Sequence, residues 1–503
     1  MPDAFHPPRR VLIIGGGPSG LATLRNFREH GKFEEVQLVE RRDAIGGVWC
    51  AHSNRSRPSW PRPAYPGLVG NVLPEFLSLA GHPFPEPLRP AQPFPILEET
   101  STYVMDYARS ENLVRIRLNV EVISVGELET GGWRVVLKDW SKGEESEEVW
   151  DGVVVTTVWY DNPRYPVIDG LVDAINIGGT NGAAGAGKGG RLVSHAIHWD
   201  GVEDNGYEGK RIAVIGSANS ANEIAAALAN VVSTPIFRSV RRVSIFPSVL
   251  DDRIQDVAPV QRVEIVQDST SGTPSKLNLH LRAEDGQDGE ILKDIDHIIC
   301  ATGYVPHVPY LRVPFPSRAD EAIPSTLKHL TGPHVAPMRV PSLYRHTIYA
   351  PNPTLAFVGA TISFVPFVLS DLTSTWLALA WHSQPSSASD TNPIPVPTTT
   401  SARLEDEQAR IQQLEAVRAE TDNPSDLLNF HFLGRFELEF AQLMRDEVYA
   451  AEPAMASPER KGRPQAGGLL AWDEEQDGRR WTMYRTKLES LYWAVGKESP
   501  AKE

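Results

Sequence analysis

The chain is poor in cysteine: 503 residues carry two, Cys50 and Cys300. Two thiols so far apart cannot staple a fold. They supply neither the C-x-x-C pair of a disulfide reductase nor an iron–sulfur ligand set. A reducing, cytoplasmic setting is the expectation. Positive charge is also short, with 49 Lys and Arg against 64 Asp and Glu and a net charge of −15. That balance argues against unspecific nucleic-acid binding. No window holds 18 uninterrupted apolar residues, so no membrane span is expected; the longest apolar region, near Leu355–Trp381, is broken by Pro366 and by Ser, Thr and Asp. Met1–Pro8 has no apolar signal core. The acid is dispersed, and its densest cluster, Glu144–Glu148, reads as a solvated turn. With 41% hydrophobic residues the chain is nonetheless globular and long enough for two or three domains.

What is present is glycine in a defined place. Val11-Leu-Ile-Ile14 reads as a buried strand, Gly15, Gly17 and Gly20 give G-x-G-x-x-G, and a helical pattern runs on to His30. The first glycine allows the tight turn, the second lets backbone approach a pyrophosphate, and the third lets helix pack on strand. Pro18 suits the first helical turn, whose free N–H groups and dipole favour a diphosphate. Val36–Val39 is the next strand, and Glu40 follows Gly20 by 20 residues. A carboxylate there accepts hydrogen bonds from a ribose diol and repels a 2′-phosphate, so FAD or NAD is expected rather than NADP.

A second strand and turn follow at Lys210–Ile215 and Gly216-Ser217-Ala218-Asn219-Ser220-Ala221. Alanine stands at the middle and last glycine positions of the fingerprint. The middle one adds a methyl where backbone meets phosphate. The next strand, Val231–Phe237, ends not in an acid but in Arg238-Ser239-Val240-Arg241-Arg242. Guanidinium groups there favour a 2′-phosphate, hence NADPH. Gly216, Ser217, Asn219, Ser220, Arg238, Ser239 and Arg241 form the expected NADPH set.

Gly15–Gly20, Glu40 and Gly46-Gly47-Val48-Trp49 together resemble the FAD site of the flavin-containing monooxygenases of class B. Tyr65–Pro74 is similar to the family segment that carries an active-site asparagine, which makes Asn71 the candidate catalytic residue near the reactive edge of the flavin. Phe84-Pro85, Tyr103 and Tyr107-Ala108 continue the pattern. Asp296–Tyr304, with Ala301-Thr302-Gly303, resembles the return strand into the FAD domain. Asn352–Ala360 resembles its last strand, with the turn after Gly359 passing the flavin and the helix from Phe364 aiming its N-terminus at the ring. The FAD set is then Gly15, Gly17, Pro18, Ser19, Gly20, Glu40, Arg41, Gly47, Val48, Trp49, Val122, Thr302 and Gly359. At the end of strand Val153–Thr157, Thr156-Thr157-Val158 replaces the family's Ala-Thr-Gly. His195 and Trp199 fit the spacing of the family's Gly-x-x-x-His-x-x-x-aromatic element, although Arg191 stands where the glycine belongs. His195 and His198 have no third ligand in view, so no metal is expected.

The resemblance implies that NADPH reduces FAD, that NADP⁺ stays bound, and that O₂ adds at flavin C4a to give a hydroperoxide. One oxygen atom then passes to a nucleophilic nitrogen (amine or indole-type) or sulfur of a specialised metabolite. Two alternatives stay open: Baeyer–Villiger oxygenation of a ketone, and an uncoupled NADPH oxidase or non-catalytic flavin-binding protein. The partners are a small-molecule substrate and O₂, with no nucleic acid; a homo-oligomer is allowed.

The fold expected is α/β, with two Rossmann-like dinucleotide-binding domains, β-meander insertions and a helical C-terminal region. Residues 1–165 and 296–385 make the FAD-binding domain, 166–295 the NADPH-binding domain, and 386–503 a linker and helical extension. Val114–Val125, Trp133–Trp140 and Glu148–Thr157 read as one meander. Val263–Gln267, Leu277–Arg282 and Ile291–Leu292 read as a second, shorter insertion. Gly178–Gly190 reads as a surface insertion and Ser383–Ser401 as a linker. Residues 402–420, Leu427–Glu447 and Trp481–Val495 read as helices.

Overall fold

Val11–Ile14 is buried on both faces, which suits a central strand of a parallel sheet covered by helices. The computed structural model describes residues 5–51, 60, 62–86, 89, 92–111, 115–177, 191–203, 206–242, 246, 248–267, 274–283, 288–314, 327–382, 393–420, 429–494 and 496–498. The Gly178–Gly190 insertion lies outside them.

The first part of the chain runs β1 (Arg10–Ile14), α1 (Pro18–His30), β2 (Glu35–Val39), α2 (Leu97–Ser110), β3 (Ile116–Arg117), β4 (Val120–Glu127), β5 (Trp133–Asp139), β6 (Glu144–Trp150) and β7 (Gly152–Val155). The middle part runs α3 (Leu171–Asn176), β8 (Val193–His195), β9 (Arg211–Ile215), α4 (Asn219–Leu228), β10 (Ser233–Ser239), β11 (Ile254–Val257), β12 (Val260–Gln267), β13 (Pro274–Arg282), β14 (Asp288–Ile295) and β15 (His297–Cys300). The last part runs β16 (Leu311–Pro314), β17 (Leu327–His329), β18 (Leu343–Tyr344), β19 (Ile348–Tyr349), β20 (Leu355–Phe357), α5 (Pro366–Ala380), α6 (Thr400–Ala419), α7 (Glu437–Ala451) and α8 (Glu474–Ala494).

Two doubly wound sheets carry the architecture. The first has the order β18-β19-β20-β7-β1-β2-β3, with Ile14 in parallel register between Val39 and Val155. The second has the order β11-β10-β9-β15-β8. Each turn after a central strand feeds a helix, α1 or α4, at the carboxyl edge where nucleotides bind such sheets. Two antiparallel sheets are inserted: β17-β16-β4-β5-β6, and β12-β13-β14. α1 packs on α5, with Leu21, Leu24 and Phe27 buried in one cluster with Leu372 and Trp376. The Asn26 amide donates to Asp371 Oδ1 at 2.9 Å across that contact.

Three expectations need correction. Glu144–Glu148 is not a turn; it opens β6, with Val135 opposite Glu148 and Val136 opposite Glu147. β6 is the edge of its sheet, and exposed charges keep an edge from pairing with another chain. The expected strand Glu148–Thr157 is therefore two: β6 ends in the antiparallel sheet at Trp150, and β7 starts in the parallel sheet at Gly152. Asp296–Cys300 does not return to the first domain. β15 is buried throughout and lies parallel between β9 and β8, with Cys300 opposite Ile215, so the second sheet keeps it.

The tail is not an appendage. Ile394 and Val396, in the expected linker, are buried, and α6 starts at Thr400. The α-helix expected over Leu427–Glu447 starts only at Glu437, directly after a 3-10 turn at Gly434–Phe436; positions 427 and 428 lie outside the described residues. Met444, Val448, Leu469, Leu470, Trp472 and Met483 join the core of the first domain, and Trp376 Nε1 donates to Glu447 Oε2 at 2.6 Å. No helix among the described residues is long and apolar enough to cross a membrane.

Candidate active site

The turn between β1 and α1 is shaped by contact. A Cβ on Gly20 would meet the Gly15 carbonyl oxygen at 1.9 Å, so helix and strand approach as closely as they do only without a side chain there. A Cβ on Gly47 would meet Gly17 Cα at 2.8 Å, which fixes the Gly46–Trp49 loop directly against the turn. The Gly46 amide donates to Gly16 O at 2.8 Å and closes that contact. Pro18 occupies the first turn of α1, and Gly17 at its N-cap offers no capping side chain. The α1 N-terminus therefore keeps amide donors and a positive dipole end facing the space in front of it.

That space is a cavity of about 470 Å³. From the first turn it is lined by Gly15, Gly17, Pro18 and Ser19; from β2 and its loop by Glu40, Arg41, Gly47, Val48 and Trp49. Val122, Gly359 and Asn71 also line it. The Glu40 carboxylate is buried and held by backbone: Oε2 accepts from Gly16 N at 2.7 Å and Oε1 from Arg42 N at 2.9 Å. A carboxylate has about four lone-pair sites, so acceptor capacity remains for a diol. Arg41 pairs with Asp161 at 2.5 Å and lies over the Trp60 ring. This donor set fits a flavin dinucleotide: amides for the diphosphate, a carboxylate for the ribose, an aromatic wall beyond. Gly20 has no place in the wall; its work is packing. Thr302 is elsewhere too: it follows β15 of the second sheet, and its hydroxyl donates to Arg164 O.

In the second turn, Ala221 stands buried in the first turn of α4 where the first fingerprint has Gly20. A Cβ on Gly216 would meet the Ala221 Cβ at 3.3 Å, and its hard clash is instead with Ala301 O of the loop after β15, at 2.4 Å. Asn219, at the start of α4, lines the same cavity as Asn71, while Ser220 is exposed beside it. Arg238 is committed inside the fold. β10 and β11 run parallel with Arg238 opposite Asp256, and its Nε and Nη2 bond the two carboxylate oxygens at 2.6 and 2.8 Å. Its Nη1 donates to Asn222 Oδ1 of α4 at 2.7 Å. The Ser239 hydroxyl accepts from Val260 N at 3.1 Å. Arg241, past the strand end, is exposed. Arg238 and Ser239 thus support the second domain from within, whereas Arg241 faces outward.

The remaining candidates are structural. His195 and Trp199 are buried in the second domain and do not line the cavity. Burial pushes the His195 imidazole down to about 4. Burial raises the Cys300 thiol to about 12, which leaves it unreactive. Among the described residues no cluster of His, Cys, Asp and Glu could hold a metal.

Sequence reasoning missed two sets of wall residues. The first is Thr156, Thr157 and Trp159 at the end of β7, with Trp159 Nε1 donating to Ala360 O at 2.8 Å. The signal was there: an aromatic pair follows directly on a buried strand. The second is the tail, through Phe432 and through Arg480, Met483 and Lys487 of α8. The last three are spaced i, i+3, i+7, one helical stripe. Arg480 forms a buried ion pair with Glu437 at 2.7 Å. Burial raises the Glu437 carboxyl, with Arg480 opposing, and its Oε2 accepts from Phe364 N at 3.0 Å at the entry to α5.

Residues 8–256 match the family described as FMO-like: Flavin-binding monooxygenase-like. The chain belongs to that family. It is a flavin-dependent monooxygenase, and FAD and NADPH are its cofactors. It is similar to the thiol-specific monooxygenase of Saccharomyces cerevisiae, 26% identical over 366 residues that cover 72% of this chain and 75% of the relative. It is similar also to the trimethylamine monooxygenase of Pelagibacter ubique, 24% identical over 379 residues covering 73% and 74%. The solved structure of S-allyl-L-cysteine S-oxygenase from Allium sativum shares the fold with a TM-score of 0.64, at 23% identity, over 95% of this chain and 98% of that one.

Proposed function

We propose that this monooxygenase places one oxygen atom on a soft nucleophilic heteroatom, sulfur or nitrogen, of a small organic substrate. In balance, the substrate, O₂, NADPH and a proton give the oxygenated substrate, water and NADP⁺. One observation carries the reading: Asn71, the first dinucleotide turn and Asn219 of the second line a single cavity. Both nucleotide folds therefore open on one reaction space.

Bound FAD supplies two-electron exchange with nicotinamide and the activation of O₂ at its ring. The chain's residues do the rest. The α1 amides hold the diphosphate and Glu40 the ribose hydroxyls. Arg241, outward-facing at the end of β10, takes the 2′-phosphate of NADPH, while Arg238 braces α4. Asn71 positions the reacting groups with its side-chain amide. Trp159, Phe364, Phe367, Phe432 and Met483 make a wall of apolar and aromatic surface that keeps water from the reaction. Such a wall suits an uncharged thioether or a deprotonated amine. The relatives named above, which act on thiols, trimethylamine and an S-allyl cysteine, support the same choice. The two cysteines, both buried and neither in a disulfide, suit the reducing cytoplasm that we also propose.

The test is a turnover screen with thioethers, tertiary amines and cyclic ketones under NADPH and air. Sulfoxide or N-oxide formed in step with NADPH oxidation is the expected result. Lactone formation from the ketones alone, or hydrogen peroxide with every compound, would overturn the proposal.

A further inference from the structure

Lys487 is the least expected group near the reaction space. It belongs to α8, in a tail without a legible motif, and its side chain is 3% exposed. An ammonium has three N–H donors. All three have acceptors: Val69 O at 3.0 Å, Gly70 O at 2.9 Å and Glu223 Oε1 at 2.7 Å. No donor remains for a substrate, so Lys487 can act only through what it holds.

What it holds is specific. Gly70 immediately precedes Asn71. Glu223 lies on α4, one turn in from Asn219, and its other oxygen accepts the Tyr65 hydroxyl at 2.7 Å. Burial and the neighbouring Glu223 raise that hydroxyl well above its ordinary range, so it stays a donor. The Glu223–Lys487 pair thus grips the Tyr65–Gly70 segment at both ends and fastens it to the helix of the second nucleotide domain. Trp199 backs the grip, edge-on to the Tyr65 ring at 6.2 Å and stacked on Tyr207. α8 itself spans the junction. Met483 Sδ accepts from Leu73 N on the first domain, and Leu491 and Tyr492 pack with Ala226 and Val249 on the second. Tyr492 Oη accepts from Leu250 N at 3.0 Å, and Lys497 pairs with Asp251 at 2.5 Å.

We propose that Lys487 is a positioning residue that sets the Asn71 loop against α4 and so keeps oxygen transfer coupled to NADPH oxidation. The coupling half rests on the function proposed above; the clamp half rests on geometry alone. Charge-assisted bonds to two successive carbonyls fix a loop far better than neutral contacts do.

The experiment compares the wild type, Lys487→Met and the double variant Lys487→Met/Glu223→Gln, each as the full-length purified protein. The single variant strands the Glu223 carboxylate and can lose stability for that reason alone; the double variant removes the stranded charge. Two readouts are taken: hydrogen–deuterium exchange over residues 65–77, and product and hydrogen peroxide formed per NADPH. In the double variant we expect the wild-type melting temperature to return while exchange at Leu68 and Gly70 stays about tenfold faster. Product per NADPH should stay several-fold low, with peroxide making up the difference. Exchange and coupling both at wild-type values in the double variant would overturn the proposal. Fast exchange with normal coupling would overturn the coupling half alone. If the wild type gives no coupled product with any thioether or amine, the functional reading falls, and the exchange result still decides the clamp.

Discussion

The most informative substitutions are at two arginines that look equivalent in the sequence. Arg238→Ala removes a guanidinium whose partners are internal. The Asn222 oxygen, in a side chain 1% exposed, loses the Arg238 donor, a loss of about 1–3 kcal/mol. The Asp256 side chain is 49% exposed, so its carboxylate returns to water and adds little. The consequence is a less stable protein with a shifted α4. If α4 serves the diphosphate common to both coenzymes, as we propose, the KM for NADPH and for NADH should rise by the same factor. Arg241→Ala should behave in the opposite way. A charge-assisted hydrogen bond to a phosphate contributes about 1.5–3 kcal/mol, or roughly 10- to 150-fold. The NADPH KM should rise by that factor, and the NADH KM should hardly move. Initial rates of coenzyme oxidation with both coenzymes, alongside thermal melts, decide the matter. A selective NADPH defect in Arg238→Ala, with none in Arg241→Ala, would refute the reasoning and return the 2′-phosphate to Arg238.

Three further outcomes follow from the same geometry. Glu40→Ala should release FAD on dialysis and, because Glu40 also accepts the Gly16 and Arg42 amides, should lower stability by about 1–3 kcal/mol even in the apoprotein; full flavin retention would contradict the ribose contact. Arg480→Met leaves Glu437 buried without its partner and should destabilise by about 3–5 kcal/mol in chemical denaturation, with most of the loss recovered in Arg480→Met/Glu437→Gln. On the acid side, buried His195, His297 and His346 are held neutral by burial, down to about 4, 4 and 3, and His431 is lowered as well. The unfolded chain takes up protons near pH 6.5 that the fold refuses, so stability is full above that value and falls as the pH drops toward 3. A denaturation midpoint that stays flat from pH 7.5 to 5 would contradict this.

The first nucleotide fold was legible because its signals are local: a four-residue apolar strand, glycines at contact positions, a proline in the first helical turn and an acid after the next strand. The cavity then gathers Asn71, Trp49 and Gly359 from distant segments. What escaped was decided by tertiary pairing. His297–Cys300 is buried throughout and would suit either parallel sheet; only its register with Ile212–Ile215 assigns it. The Arg238 guanidinium looked available because its partner, Asp256, stands 18 residues on and meets it only when β10 and β11 pair. Glu144–Glu148 shows no apolar alternation because an edge strand can be solvated on both faces. The tail carries Arg480, Met483 and Lys487 as a buried stripe of α8, and two of the three are charged, so composition hid it.

Oxygen transfer is tested most directly by a single turnover of the NADPH-reduced protein with ¹⁸O₂ and a thioether. One ¹⁸O atom should appear in the sulfoxide and the other in water, with one product formed per NADPH oxidised. Label recovered only in hydrogen peroxide, with the thioether unchanged, would contradict it.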